Sequence, residues 1–248
     1  MSAHLSVRPG VYFAAVQGEG VIMDLVEDRY YGLGAQSARI WRGLQEGHAP
    51  ERIAEDVSAA APQEPRLAAP ELIARQLEAW AQARLVTATP AVPTDLPDLK
   101  PVGTPAVAGV EEARVAATPF SWLALVRLTR SVWWSRRAMR RHGLCWTLKR
   151  LQQIQVLPAE RQSRLEHALH RMLHVYRASR RVLSQGKDDC LPRSLALAVA
   201  LRRLGVDAEI CFGVRKFPFS AHAWLEACGK VINETPTKVQ QYTLLARF

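Results

Sequence analysis

Proline dominates one segment in the middle of the chain. Of the fifteen prolines in this 248-residue sequence, six lie between Thr87 and Pro119 inclusive, and no helical or strand period survives there. Because proline lacks a backbone N–H and favours extended geometry, we predict an extended, semi-rigid linker over residues 89–119. The linker separates an N-terminal region, residues 1–88, from a C-terminal region, residues 120–248, and each is long enough to bury a core.

The charge distribution supports the same division. Residues 1–100 carry 9 basic and 13 acidic side chains, whereas residues 101–248 carry 24 basic and 10 acidic ones. Opposite signs on the two halves indicate two functional units rather than one uniform surface.

Composition excludes several classes of protein. A hydrophobic content of 48% with 23% charged residues is typical of a globular protein and excludes wholesale disorder. No apolar stretch approaches the ~18 residues that span a bilayer, and the first residues lack the apolar core of a signal peptide. Four scattered cysteines do not form a disulfide scaffold. We therefore expect a cytoplasmic protein with reduced thiols and no integral membrane segment.

The N-terminal region is predicted to contain three strands followed by three helices. The runs Val11–Val16 and Val21–Val26 are rich in β-formers and flank the turn sequence Gln-Gly-Glu-Gly, and Tyr30–Leu33 adds a third short strand. Helical spacing follows, and Pro50 and Pro70 are placed to open the second and third helices. This order is typical of a winged-helix-like module.

The C-terminal region changes from helices to strands. A basic, helical stretch from Phe120 to Leu183 precedes an apolar helix over Leu191–Leu204. Alternating apolar residues then indicate a strand over Val206–Val214, and two further short strands flank Gly229. Helices followed by an antiparallel sheet predict an α+β fold.

One cysteine stands where a helix is predicted to begin. Pro192 suits the first turn of that helix, so the free N–H groups and the helix dipole would lower the pKa of the Cys190 thiol. The same donors could hold the oxyanion of a tetrahedral intermediate. His222, on a predicted strand, supplies a base, and Asn233 or Glu234 could orient its imidazole. Cysteine, histidine and an acid or amide form a thiol acyl-transfer set.

The register of one hairpin decides which residue orients the histidine. A loop centred on Cys228 places Glu234 opposite His222, whereas a two-residue turn at Cys228 and Gly229 shifts Asn233 onto the His222 face. The residues leave both registers open. We prefer Glu234, because a carboxylate also stabilises the imidazolium that forms during the reaction.

Several motifs of the C-terminal region form a recognisable set. They are Cys190–Leu197 (CLPRSLAL), Ala221–Glu226 (AHAWLE) and Gly229–Asn233 (GKVIN). The region resembles the transglutaminase-like leader peptidase of lasso-peptide biosynthesis, the B protein. That resemblance implies a transglutaminase/papain-like α+β domain and a catalytic triad of Cys190, His222 and a downstream acid, which maps onto Glu234. The family commonly has aspartate at the last position, so glutamate is a departure that keeps Asn233 as the alternative.

The N-terminal region resembles the other half of such systems. Its Asp-x-Tyr-Tyr-Gly-Leu motif at Asp28–Leu33 and the segment Ala35–Trp41 (AQSARIW) are similar to the PqqD-like RiPP recognition element. The resemblance implies that the leader of a precursor peptide adds as a strand to the third strand and lies against the third helix, a β-augmentation. The candidate contacts are Arg29, Tyr30, Tyr31 and Leu33 on the strand and Ile73, Leu77 and Trp80 on the helix.

Together the two resemblances indicate a fused B protein. The expected activity is that of a cysteine peptidase, which cuts the leader from a lasso precursor before an asparagine-synthetase-like cyclase closes the ring. ATP use is expected of that cyclase, because this chain has no Walker or dinucleotide glycine pattern, and we expect no cofactor here. Two alternatives are an amide-forming, transglutaminase-type acyltransferase and a non-catalytic scaffold that delivers the precursor.

A strongly basic stretch has no assigned partner. Between Ala113 and Ala159 the chain has no acidic residue, nine basic residues and four tryptophans. We interpret it as a solvated basic face on helices that pack their tryptophans inward, with docking to an acidic partner as the alternative, and we expect no nucleic-acid partner. The three histidines at positions 167, 170 and 174 share one helical face, but no zincin motif accompanies them and we predict no metal site.

Overall fold

The computed structural model describes residues 5–60, 69–88, 96–100, 102–158, 165–183 and 190–248. They form two compact units, a first unit of Met1–Leu96 and a second unit of Pro97–Phe248. Helices and strands occur in both, which confirms the predicted α+β class.

The first unit contains the predicted three-stranded sheet followed by three helices. The sheet is antiparallel in the order β2-β3-β4, and β1 pairs separately with β5. Its elements are β1 (Ser6–Val7), β2 (Val11–Val16), β3 (Glu19–Asp24), β4 (Arg29–Leu33), α1 (Ala35–Gln45), α2 (Pro50–Ala60), α3 (Ala69–Gln82) and β5 (Val86–Thr87).

Two local details of this sheet differ from the prediction. The β2–β3 turn contains two residues rather than four, because Gln17 and Gly18 both adopt positive φ, as a tight hairpin turn requires. The second strand ends at Asp24 rather than Val26. The Asp24 carboxylate accepts hydrogen bonds from the backbone N–H groups of Val26 and Glu27, which turns the chain out of the ladder.

The core of the first unit contains two of the residues predicted to contact a leader peptide. Ile73 and Trp80 are buried beside Trp41, and the indole rings of Trp41 and Trp80 meet edge to face with centroids 4.9 Å apart. Leu77 is half-buried against the same core. All three side chains therefore pack within the unit.

The second unit is built around a five-stranded sheet. Its order is β10-β7-β8-β9-β6, antiparallel except for the parallel pair of β6 and β9. Its elements are β6 (Ala108–Gly109), α4 (Glu112–Ala116), α5 (Trp122–Gln152), α6 (Glu166–Leu183), α7 (Cys190–Arg202), β7 (Glu209–Arg215), β8 (Ser220–Ala227), β9 (Lys230–Val231), α8 (Pro236–Val239) and β10 (Thr243–Arg247).

Helix α7 forms the centre of the second unit. Every residue from Ser194 to Arg202 is buried, as expected for a helix that is apolar on all sides. It packs against α5 and β8. The face of α5 that is buried includes small residues, among them Ala124, Ser131, Ser135 and Ala138, which allow neighbouring backbones to approach closely.

The predicted linker is wrong for much of its length. Residues 97–110, which we call the arm, belong to the second unit. Residue 101 of the arm and residues 89–95 of the predicted linker lie outside the described part of the chain. Asp98 and Gln152 exchange hydrogen bonds of 2.7 and 2.6 Å, and the Lys100 N–H donates to the Arg247 carbonyl. Proline keeps the chain extended, but the residues between the prolines retain their donors and bind the sheet.

The inward packing predicted for the tryptophans is wrong for two of them. The Trp122 and Trp133 side chains are 73% and 65% exposed. The buried positions of α5 recur with the helical period through Ala124, Leu128 and Ser131, so residues 122 and 133 fall on the opposite face. Trp134 and Trp146 are half-buried. In the described residues, no helix is both long and apolar enough to cross a membrane.

Candidate active site

Cys190 is the first residue of α7, where the sequence predicted a helix start. Its side chain is half-buried, and the backbone N–H groups of Leu191 and Ala223 donate hydrogen bonds to its sulfur. Leu191 comes from the first turn of the helix, whereas Ala223 comes from the neighbouring strand β8. The thiol is therefore held between a helix start and a strand.

His222 reaches the thiol from β8. It pairs with Gly213 of β7, its side chain is 8% exposed, and it forms a side-chain hydrogen bond with Cys190. It directly precedes Ala223, whose backbone N–H donates to the same sulfur. The structure thus brings together the predicted nucleophile and base.

Glu234 lies on the other side of the imidazole. His222 Nε2 is 3.2 Å from Glu234 Oε1, an ion-pair contact in which the ring N–H is not aligned for a hydrogen bond. Lys238 Nζ donates to the same oxygen at 2.9 Å, and the Glu234 side chain is 9% exposed. Because Nε2 faces the carboxylate, Nδ1 is the ring nitrogen available to the thiol.

The charges of the three groups support one another. Burial raises the pKa of the Cys190 thiol, but hydrogen bonds from His222 and Ala223 outweigh burial and lower it. Burial lowers the pKa of His222, but its interactions with Cys190 and Glu234 raise it overall. Burial also raises the pKa of Glu234, yet His222 and Lys238 lower it to about 2. The arrangement favours a thiolate beside an imidazolium beside a carboxylate.

The hairpin register differs from the one that favoured Glu234. Cys228 and Gly229, both at positive φ, form a two-residue turn, so Ala227 pairs with Lys230. That register was expected to favour Asn233. Glu234 nevertheless meets His222, because β9 ends at Val231 and the chain then leaves the ladder.

Asn233 has a structural role in this site. Its Oδ1 accepts from the Leu225 backbone N–H at 2.8 Å, and its Nδ2 donates to Ser194 Oγ at 2.9 Å. Ser194 Oγ in turn donates to the Ala223 carbonyl at 3.0 Å. Asn233 therefore joins the segment after β9 to both β8 and α7, and its amide is committed to those partners.

Two residues of the site were not predicted. Lys238 stands four residues after Glu234, a spacing that signals an ion pair on a helical turn and could have been recognised. Tyr242 packs against His222 with ring centroids 5.2 Å apart, and no local pattern marks it. Trp224 also stacks on the imidazole, at 6.2 Å and 21°.

The other cysteines differ from Cys190. Burial raises the pKa of Cys211, a buried residue of β7, and of Cys228, an exposed turn residue. Cys145 is half-buried on α5. In the described part of the chain, no group of three or more histidine, cysteine or acidic residues is placed to hold a metal ion.

The residues predicted to bind a leader lie in two different environments. β4 is an edge strand of the first unit's sheet, and it exposes Arg29 while Tyr30 and Tyr31 are half-buried and Leu33 is buried. Tyr31 packs against the same core as Ile73 and Trp80. An incoming strand could therefore pair with the backbone of β4, whereas the helical residues form the support beneath it.

The fold and this site define the class of protein. The second unit matches the transglutaminase-like superfamily over residues 122–247, slightly more than half of the chain. The chain belongs to that superfamily, which confirms the transglutaminase-like resemblance of the CLPRSLAL and AHAWLE motifs.

Two individual proteins are similar to the chain over shorter stretches. The microcin J25-processing protein McjB of Escherichia coli is 40% identical over 60 residues, which are 24% of this chain and 29% of McjB. The matched stretch therefore spans less than a third of that relative's length. The structure of TbiB1 in complex with the TbiA(beta) leader peptide is 28% identical, covering 34% of this chain and 96% of TbiB1 with a TM-score of 0.31.

Proposed function

We propose that the chain is the leader peptidase of lasso-peptide biosynthesis, a cysteine hydrolase that cuts the bond between leader and core. The observation that carries this proposal is the series of contacts from half-buried Cys190 through buried His222 to Glu234 in a transglutaminase-like unit. The similarity to McjB, a microcin-processing protein, supports the choice of a peptide substrate.

The side chains of this series have complementary roles in this reaction. The Cys190 thiolate attacks the scissile carbonyl carbon, and backbone N–H groups at the start of α7 stabilise the oxyanion. The C–N bond breaks as protonated His222 gives its proton to the leaving amine, which becomes the N-terminus of the core peptide. Neutral His222 then takes a proton from water, whose oxygen attacks the thioester. The leader leaves as a carboxylic acid and the thiol is regenerated, with Glu234 orienting His222 throughout.

The N-terminal region is proposed to bind the leader. As in other β-augmentation complexes, main-chain hydrogen bonds along β4, which is the edge strand of the sheet in the described part of the chain, would supply affinity. We expect amide hydrogen exchange at residues 29–33 to slow when leader peptide is added to the full chain. Protection confined to other segments would refute this site.

The cleavage experiment uses a precursor peptide encoded by a neighbouring reading frame. The full chain should release two fragments whose masses add up to precursor plus one water. Cys190→Ala should abolish cleavage and keep leader binding, whereas Cys228→Ala, which removes an exposed thiol of raised pKa, should cleave normally. Cleavage by Cys190→Ala would refute the proposal.

The same mass spectra separate the alternatives. An amine adduct in place of the hydrolysed acyl group would identify an amide-forming acyltransferase. Binding without turnover by the unmodified chain would identify a delivery scaffold. The free amine that hydrolysis produces is the group that a partner cyclase, proposed to be asparagine-synthetase-like and ATP-dependent, would join to a side-chain carboxyl group.

A further inference from the structure

A second buried carboxylate lies on β8, four residues after the histidine. The Glu226 side chain is 4% exposed, and its Oε1 accepts hydrogen bonds of 3.0 Å from both the Trp224 indole N–H and the Ala106 backbone N–H. Its Oε2 lies 3.0 Å from Arg247 Nη2. All three partners are hydrogen-bond donors and one of them, Arg247, is a cation, and a contact of that kind with a buried carboxylate is strong.

The Trp224 indole has little freedom to move. It is fully buried, and a Cβ added at Gly213 would lie 2.7 Å from the indole ring, so one side of the indole rests directly on the backbone of β7. The hydrogen bond to Glu226 then sets the direction in which its N–H points.

The indole in turn contacts the proposed base. The Trp224 and His222 rings are nearly parallel, at 21° with centroids 6.2 Å apart, and Tyr242 closes on the imidazole at 5.2 Å. Trp224 and Tyr242 also contact each other, with centroids 6.4 Å apart, so His222 packs beside a pair of aromatic rings, one of which is oriented by a carboxylate.

We propose that Glu226 is a positioning residue that acts through Trp224 to fix the imidazole plane of His222 between Cys190 and Glu234. The proposal rests on the proposed function in one respect, that His222 serves as the base for Cys190. The described contacts of Glu226 are with Trp224, Ala106 and Arg247 and not with Cys190, so its effect on the reaction is indirect.

The same oxygen of Glu226 also binds the arm. Because Ala106 and Trp224 donate to one Oε1 atom, the arm shares a hydrogen-bond acceptor with the residue that stacks on His222. The arm also contains β6, which pairs with β9. The arm is thus a structural component of the candidate active site.

Glu209 provides a matched control. It is paired with Glu226 across β7 and β8, and it also contacts Arg247, at 3.4 Å from Nη1. Its remaining described partner is Lys100 of the arm. Glu209→Gln therefore removes a carboxylate from the same ion-pair cluster without removing the acceptor of Trp224.

The experiment measures the rate at which iodoacetamide alkylates Cys190 in the full chain as a function of pH, by peptide mass mapping. Exposed Cys228 in the same molecule serves as the internal reference. The titratable and charged groups facing His222 are Cys190, Glu234, Lys238 and Tyr242; those facing Glu226 are Arg247, Cys211 and its cross-strand partner Glu209. Of these groups, the variants change only Glu209, in the control.

Glu226→Gln and Trp224→Phe should each slow alkylation of Cys190 about fivefold or more below neutral pH, since a displaced imidazole stabilises less thiolate. Glu209→Gln should leave the Cys190 profile unchanged. Should Glu226→Gln fail to fold, Trp224→Phe, which keeps an aromatic ring and deletes the N–H donor, decides the question.

Two outcomes would overturn the inference. One is an unchanged Cys190 profile in folded Trp224→Phe or Glu226→Gln, and the other is an equal slowing in Glu209→Gln. A wild-type chain in which Cys190 reacts no faster at low pH than Cys228 would instead contradict the thiolate–imidazolium pair of the proposed function. The two failures are therefore distinguishable.

Discussion

Replacing Glu234 by glutamine tests the least conventional member of the candidate triad. Glutamine preserves the length of the side chain and a carbonyl oxygen, but it removes the charge that lies 3.2 Å from His222 Nε2. The substrate is not expected to touch this residue. We therefore expect kcat to fall while KM for the precursor stays nearly constant.

The size of the effect follows from the two contacts of the carboxylate. Against the opposing effect of burial, His222 and Lys238 lower the pKa of Glu234 from an ordinary 4.5 to about 2, which corresponds to about 3 kcal/mol. A Coulomb attraction between unit charges at 3.2 Å is about 5 kcal/mol at an effective dielectric constant of ~20. Lys238 accounts for part of the 3 kcal/mol obtained from the lowered pKa of Glu234. We therefore assign about 2–3 kcal/mol to the interaction with His222, which corresponds to a fall in kcat/KM of about 10²-fold.

The pH profile of Glu234→Gln should change in a defined direction. The carboxylate raises the pKa of His222, so its loss lowers that pKa and removes activity from the alkaline side. A less stable imidazolium also stabilises the thiolate less, so the pKa of Cys190 rises and activity is lost from the acidic side. The bell-shaped profile of kcat/KM should therefore narrow from both sides.

The assay is the initial rate of precursor cleavage between pH 5 and 9, with Glu209→Gln as a carboxylate-to-amide control outside the site. A Glu234→Gln variant within about threefold of wild type would refute the magnitude argued above. If the whole pH profile shifted without narrowing, that result would refute the role of Glu234 in stabilising the His222 imidazolium.

Three further predictions concern stability. Because the pKa of Glu234 is depressed in the folded chain, its contribution to stability is complete above the ordinary 4.5 and is lost as the pH falls towards 2. The free energy of unfolding, measured by urea titration, should drop by up to about 3 kcal/mol over that interval in wild type and by less in Glu234→Gln. Gly213→Ala places a Cβ 2.7 Å from Trp224 and should cost about 1–3 kcal/mol in chemical unfolding, whereas Gly103→Ala, which meets no atom within 4 Å, should be neutral; equal effects would contradict the packing argument. Asn233→Ala leaves the buried Leu225 N–H unsatisfied, whereas Ser194 keeps its bond to the Ala223 carbonyl; the variant should cost about 1–3 kcal/mol, so an unchanged melting temperature would contradict its structural role.

The start of α7 and the position of His222 could be predicted because both follow local rules. Pro192 in a first turn marks the helix start that presents Cys190, and alternation places His222 on a strand within reach of it. Both residues lie in motifs of the superfamily, so pattern and resemblance agreed. The three-stranded sheet and three helices of the first unit were predicted for the same reason.

The packing of the arm against the sheet could not be predicted, because amino-acid composition does not indicate whether an extended segment pairs with a sheet edge. Prolines 97, 101 and 105 favour an extended chain, and an extended chain is equally suited to a free linker and to an added strand. What decided between them was an acceptor far away in the sequence, the Glu226 carboxylate, together with the open edge of β9. The exposed Trp122 and Trp133 have a similar cause, since the buried side of α5 depends on its packing against α7.

The third member of the candidate triad was predicted from a pairing rule that fails where a strand is short. Pairing residues across the Cys228–Gly229 turn correctly describes two pairs, but extending that ladder to position 234 assumes a strand that ends at Val231. Beyond it, Asn233 takes over the backbone donor of Leu225 with its side chain, and this frees the next residue to turn towards His222. The longer reach of glutamate compared with aspartate suits a residue that approaches the imidazole from outside the ladder. The departure from the common aspartate and the early end of β9 are therefore two aspects of one local geometry.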